Sequence, residues 1–550
     1  MISKNELPQV WRPLNAAVFW ALSVIVGVVA GFGAVGFRAL IGFTHNLLFF
    51  GKISLVYDAN VHTAPSPWGP FVILVPVAGA LGVVFLVKTF APEAKGHGVP
   101  EVMDAVFHKR GVIRPVVSLV KAFASALSIG SGGSVGREGP IIQIGSSFGS
   151  TLGQVLRLPA WQRITLIAAG AGGGIAATFN TPVGGVLFAI EIVLLEVSAR
   201  TVVPVAIATA TATYLGQAIF GPHPSFTILA LETPFFVVTK PMVLLSYAGL
   251  GLIAGAVSAL FIWSVYAFEG FFEKRVPGGY YAQHLLGMLL VGILMYAMMV
   301  GFGHYYVQGV GYATIQDILS GLQFPVYLLI LLFAAKLLAT SLTLGSGASG
   351  GVFSPALFLG ATSGAAWGVV LNRLFPGLDL SPAAFAVAGM GAVVGGTTGA
   401  AMAAIVMIFE MTLDYTVIIP MTLTVALSYG VRKSLIGDSI YTRKLTLRGE
   451  SVPMSMRADV HFSRLAASIM QPPDPKDLKT WAVSGPPADY ILASELAPLG
   501  EVISAMRVGA SAGVLVMSKD GEFDAANVRG VITRQDILGT LADDLELFAG

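Results

Sequence analysis

The residues with the most chemical content lie in a polar interruption of an apolar chain: Gly136-Arg137-Glu138-Gly139-Pro140. Charged side chains between two apolar segments are costly in a bilayer unless they face water or a partner. The glycines let backbone N–H groups turn outward, and Pro140 suits the first turn of a new helix. Such a helix start offers unpaired donors and partial positive charge, which favours an anion. Gly351-Val352-Phe353-Ser354-Pro355 repeats the device without the charge. Two helix starts converging on one point would build an anion site largely from amides. The plainer alternative is a pair of Gly-rich packing kinks. Glu138 stands where an anion is favoured, so its own carboxylate competes for that place. A carboxylate that leaves when protonated is a gate and a carrier of protons. Its structural alternative is neutralisation by Arg137, weakened because adjacent helical residues do not face each other.

The elements that must position these residues come in two copies. Lys121 to Gly149 aligns without a gap on Lys336 to Gly364, bringing lysine, proline and glycines into register together. Gly96-His97-Gly98 with Asp104 resembles Gly309-Val310-Gly311 with Asp317, and both acids are expected near helix starts. Ala169 to Glu191 matches Ala388 to Glu410, which sets Glu191 opposite Glu410. Intramembrane acids are functional suspects, but placement in both halves suits helix capping or interface hydrogen bonding. Two Gly/Ser-broken hydrophobic segments, one per half, are the pattern of a transporter whose site lies between the breaks.

Composition agrees. Of 550 residues, 55% are hydrophobic and 11% charged, with mean hydropathy +0.78, far from a soluble enzyme. Apolar stretches run from near Asn15 to Val431 and amount to roughly a dozen or more spans, many short or broken. The first, Ala16 to Phe43, is too long and too late for a cleaved signal peptide. A net charge of +2 does not point to nucleic acid, and the lack of cysteine excludes disulfides and thiolate metal sites. The expected organisation is a cytoplasmic N-terminus over 1–14, transmembrane repeats over 15–235 and 236–435, and a soluble tail over 436–550. Arg432, Lys433, Arg443, Lys444 and Arg448 put the tail on the cytoplasmic side, and Lys4 and Arg12 put the N-terminus there too. The end of the tail reads as helix (Glu501 to Val508), strand (Gly513 to Met517), turn (Lys519 to Gly521), strand (Val528 to Thr533) and helix (Arg534 to Leu541).

A different class of function fails on its own terms. Gly347-Ala348-Ser349-Gly350 matches the Gly-x-Ser-Gly of intramembrane serine proteases, which need a histidine base on a later span. No histidine lies between Gly351 and Val431, and the only later one is His461 in the tail. Neither H-E-x-x-H nor a Walker-type loop occurs, so metalloprotease and ATP-driven pump lack support.

Together, the GREGP of Gly136 to Pro140, the GVFSP of Gly351 to Pro355, the Gly96-x-Gly98-x-Pro100 turn and Tyr441 resemble the CLC family of chloride channels and chloride/proton antiporters. In the tail, Gly530-x-x-Thr533-x-x-Asp536 resembles a cystathionine-beta-synthase (CBS) repeat, with a faint first copy around Leu465 to Met470. The resemblance implies an all-α polytopic membrane protein of two inverted-topology repeats of broken and tilted helices, with a small α/β cytoplasmic tail. It implies a homodimer in the plasma or inner membrane, both termini cytoplasmic, with one pore per subunit. No enzymatic activity, metal or required cofactor is expected, and an adenine nucleotide near Thr533 and Asp536 is a lesser expectation.

By the same resemblance, Glu138 matches the external gating glutamate. The amides around Gly136, Arg137 and Glu138, and those of Val352 and Phe353, match the backbone anion ligands, and Tyr441 the hydroxyl on the central ion. Two positions depart from the family. His97 replaces the usual serine between the glycines of the first motif. Ile192 replaces a second glutamate on the inner proton route of antiporters. His97 is either a satisfied structural donor or an imidazole N–H offered to the anion and titratable near neutrality. The expectation is an anion (chloride) permease with a glutamate gate, a passive channel or one weakly coupled to protons. The alternatives are a fully coupled chloride/proton antiporter or a fluoride exporter; GREGP with Tyr441 favours the chloride-type branch.

Overall fold

The computed structural model describes residues 14–222, 225–226, 241–378, 380–450, 466–495, 497, 499, 502–503, 505–506, 511–518 and 523–538. The boundary expected at 235/236 therefore lies outside the described residues, as do Lys4, Arg12 and the 519–521 turn.

The apolar runs fold as one series of helices told twice. The first series is α1 (Ala16–Phe50), α2 (Val75–Phe90), α3 (Val99–Phe107), α4 (Val116–Gly130), α5 (Glu138–Val155), α6 (Ala160–Phe179), α7 (Pro182–Phe188) and α8 (Ala199–Phe220). The second is α9 (Pro241–Arg275), α10 (Gly279–Phe302), α11 (Tyr312–Leu319), α12 (Val326–Gly345), α13 (Phe353–Leu374), α14 (Pro382–Thr398), α15 (Ala401–Thr412) and α16 (Ile418–Leu435). A short α17 (Thr442–Leu447) follows. Among the described residues, seven helical segments are long and apolar enough to cross a membrane; α4, α14, α15 and the run 182–194 are shorter apolar helices. Broken spans are tolerated here because their ends are buried in protein, where other groups satisfy the backbone.

Reciprocal contacts relate the two halves. Ser125 of α4 meets Ser349 at 2.9 Å, and Thr340, its counterpart on α12, meets Ser134 at 3.2 Å. Fully buried Lys121 donates to the Ala94 and Gly96 carbonyls, and Lys336 to those of Val307 and Gly309. Glu191, in the π-helical turn that prolongs α7, accepts from Met402 N (3.1 Å) and Ala403 N (2.7 Å) at the start of α15. Glu410 at the end of α15 accepts from Val183 N (3.0 Å) and Gly184 N (2.7 Å) at the start of α7. Gly136 and Gly351, themselves repeat counterparts, pair antiparallel (2.8 and 2.6 Å), so the copies run in opposite senses where they meet. Close helix packing is carried by glycine: a Cβ on Gly145 would overlap the Gly170 carbonyl, and one on Gly360 that of Gly389. Asp104 and Asp317 correct the reading that set them near helix starts. They lie late in α3 and α11, where Asp104 pairs with Lys109 (2.5 Å) and Asp317 with His62 (2.7 Å).

The tail forms a second unit with its own core, including Ala466, Leu499, Val502, Val514, Val516 and Ile532. Its sheet has the order β1 (Tyr490–Ser494), β2 (Gly513–Met517), β3 (Val528–Thr533), with β1 parallel and β3 antiparallel to β2. β2 and β3 fall where the sequence places strands. β1 is an addition, and its half-buried pattern carries no clear alternation. Ala466–Ser468, within the expected faint first repeat, is a single 3-10 turn.

Candidate functional site

The start of α5 and the start of α13 come together where Gly136 and Gly351 pair. That pairing spends the Gly136 amide on the Gly351 carbonyl, which corrects its reading as an anion ligand. The first-turn N–H groups that follow have no carbonyl within their own helices to bond. Arg137 and Glu138 in one half and Val352 and Phe353 in the other stand at these starts.

Glu138 is 1% exposed, and its carboxylate reaches across to the second half. Oε1 accepts from the Tyr312 hydroxyl at 2.6 Å and from the Ser354 hydroxyl, and Oε2 accepts from Ser354 N at 3.4 Å. The Glu138 side chain, tethered to α5, therefore occupies the N-terminus of α13. Arg137 does not neutralise it: the guanidinium lies over the rings of Tyr312 (5.3 Å) and Phe179 (5.9 Å). Phe179, Phe226 and Phe353 complete a largely apolar surround, with Phe226 edge-on to Tyr312 and Phe179 packed 5.3 Å from Phe353. In such a setting an ion interacts with aimed dipoles more strongly than it would in water.

His97 and Tyr441 lie together on another side of the same helix starts. The His97 carbonyl packs against Gly139, where a Cβ would overlap it, and the two rings are 6.1 Å apart. Gly98 allows the turn, with φ +84° and a Cβ position only 2.7 Å from Gln143 Oε1. His97 is 6% exposed; its Nε2 lies 3.3 Å from Tyr266 Oη, and its Nδ1 is buried with no hydrogen-bond partner among the described residues. A cavity of about 20 Å³, lined by His97, Gly98, Glu101, Glu269 and Lys444 among others, opens beside it. That is room for about one water-sized particle. Tyr441, 2% exposed at the start of α17, also meets Phe188 edge-on at 6.5 Å. Ion pairs Lys444–Glu269 and Arg448–Glu101 tie α17 to α9 and α3. The Glu101 hydrogen bond holds the Arg448 guanidinium above its ordinary range.

Ile192 is buried in the π-helical turn of 189–194 beside Glu191, whose carboxylate is turned onto α15. Ser349, the serine of the protease-like run, donates to the Ala94 carbonyl at 2.8 Å and serves packing. In the tail, Thr533 N and Oγ1 donate to Asp536 Oδ2 at 2.7 and 2.6 Å, and Asp536 N donates back to Thr533 Oγ1 at 3.4 Å. These bonds form a reciprocal cap at the start of the helix over 534–538.

Three contributors escaped the sequence reading. Ser354 was inside a quoted motif, and Tyr312 directly follows the second Gly-x-Gly turn, so both had a local signal. Tyr266, in the last third of α9, had none.

A family profile described as voltage gated chloride channel matches residues 78–433. A chloride channel protein of Ralstonia nicotianae, described as ClcB-like, is 31% identical over 430 residues, 77% of this chain and 96% of that protein. The H(+)/Cl(-) exchange transporter ClcA of Vibrio parahaemolyticus is 31% identical over 446 residues, 78% of this chain and 90% of its own. Among solved structures, a slow cyanobacterial Cl-/H+ antiporter matches with a TM-score of 0.66 at 25% identity, over 78% of this chain and 97% of that one. A eukaryotic CLC transporter shares the fold with a TM-score of 0.65 at 20% identity, over 94% and 97%.

Proposed function

The chain belongs to the voltage-gated chloride channel (CLC) family and is a multi-pass membrane anion transporter of it; from that premise we propose a chloride permease gated by Glu138, passive or weakly coupled to protons. The observation that carries the reading is the Glu138 carboxylate seated on Ser354 N and two hydroxyls at the start of α13. A place that holds a tethered carboxylate has the chemistry to hold a free halide once the carboxylate is protonated and leaves. Val352, Phe353 and the α5 amides then line the path, with His97 and Tyr441 further along it. Ile192 supports weak coupling, because no acid stands at that inner position to relay a proton.

The second reading, a fully coupled antiporter, draws on relatives named exchange transporters. A fluoride exporter is disfavoured by GREGP with Tyr441. The protein acts as a homodimer with both termini cytoplasmic, without enzymatic activity or a required cofactor. The tail is a CBS-like module that joins subunits. Reconstitution in liposomes, recording chloride efflux and proton movement together, tests the reading. Chloride efflux with little or no proton counter-movement is expected. Stoichiometric proton pumping would replace it with the antiporter, and no halide efflux would end it.

A further inference from the structure

Tyr266 has one hydroxyl proton, and it is committed to the Ile440 carbonyl at 2.5 Å. The 3.3 Å contact between Tyr266 Oη and His97 Nε2 is therefore made with the imidazole as donor. Neutral His97 then carries its proton on Nε2 and leaves Nδ1 as a bare lone pair. That atom is buried and has no hydrogen-bond partner among the described residues. A lone pair repels an anion; only the imidazolium has an N–H at both nitrogens.

We propose that His97 binds a proton and a halide as a pair, Nδ1 taking the proton as the anion arrives and donating the new N–H to it. The Nδ1 lone pair forms the N–H bond, and the solvent acid that supplies the proton is left as its conjugate base. This rests on the permease reading above and supplies what Ile192 lacks, a proton-binding group on the anion path itself.

The surrounding charges favour pairing over protonation alone. Lys121 from α4 and Lys95 in the same loop bring positive charge to His97. Glu269 of α9 and Glu101 of α3 are engaged by Lys444 and Arg448, and Glu138 of α5 by Tyr312 and Ser354. Tyr266 and Tyr441 are the neutral titratable neighbours. A halide offsets this positive field, so the proton and the anion each favour the other's arrival.

The test uses the full chain with Glu138→Gln, so that the gate contributes no proton. Sodium chloride is titrated calorimetrically in buffers of different ionisation enthalpy, between about pH 6 and about pH 8. The expected result is an uptake approaching about one proton per chloride, with affinity rising up to about tenfold per pH unit of acidification. His97→Gln, in the same background, offers a neutral N–H and should bind chloride with no uptake and a flat pH profile. Tyr266→Phe frees the tautomer, letting neutral His97 place its proton on Nδ1. Its uptake per chloride should fall to less than half while binding persists. Chloride binding without proton uptake in the parent, or undiminished uptake in Tyr266→Phe, overturns the proposal. Wild-type liposomes without chloride efflux would instead defeat the permease reading.

Discussion

At the scale of single residues, the proposed gate is the Glu138 carboxyl group held by hydroxyls. Glu138→Gln mimics the protonated side chain, so it should abolish any proton movement and leave anion flux intact or faster. Proton transport that survives at full rate would remove Glu138 from that role. The latch can be loosened without touching the acid. Tyr312→Phe deletes one hydrogen bond to a buried carboxylate, worth about 1.5–3 kcal/mol, so the released state should gain roughly tenfold to a hundredfold. Chloride efflux at neutral pH should quicken accordingly, with Ser354→Ala acting the same way; unchanged efflux in both would mean the latch does not limit flux. These residues were unequally legible in the sequence. Glu138 and Phe353 stood out because a Gly-framed helix start shows in one dimension. His97 stood out as a departure, but its proton position did not, because Tyr266 and Ile440, far along the chain, decide it.

At the scale of elements, the reciprocal capping of α15 by Glu191 and α7 by Glu410 gives the two acids a structural role. Each carboxylate satisfies first-turn donors that would otherwise be left unpaired. Glu191→Ala and Glu410→Ala should each destabilise the protein by about 1–3 kcal/mol, and by similar amounts. Thermal unfolding of the detergent-solubilised protein is the measurement. A variant at Glu191 that loses transport at full stability, with Glu410 silent, would make Glu191 a transport acid. The paired helices were readable from the gap-free repeat, down to the serines and lysines that now make matching contacts. What did not read through was any element fixed by its partners. β1 forms because β2 offers a parallel edge, and Asp104 and Asp317 are placed by Lys109 and His62, not by a cap.

At the scale of the whole molecule, approximate two-fold symmetry supplies two helix starts, and the sequence then breaks that symmetry at the site. The repeat places Phe353 opposite Glu138 and Val310 opposite His97, so each titratable group exists in one half only. The arrangement leaves one side-chain carboxyl for two helix starts. Phe353→Glu would give the second start an acid of its own and fill both. Chloride efflux should fall at least about tenfold at neutral pH, because a second carboxylate competes for the amides and repels the permeant ion. It should recover on acidification toward and below the ordinary carboxylate range, about pH 4–5, as the added acid becomes neutral. Phe353→Gln has nearly the same shape without the charge, so it separates repulsion from lost ring packing against Phe179. Efflux measured against pH in both variants decides the matter. Equal suppression at every pH would mean that the start of α13 acts through packing and that the anion passes elsewhere.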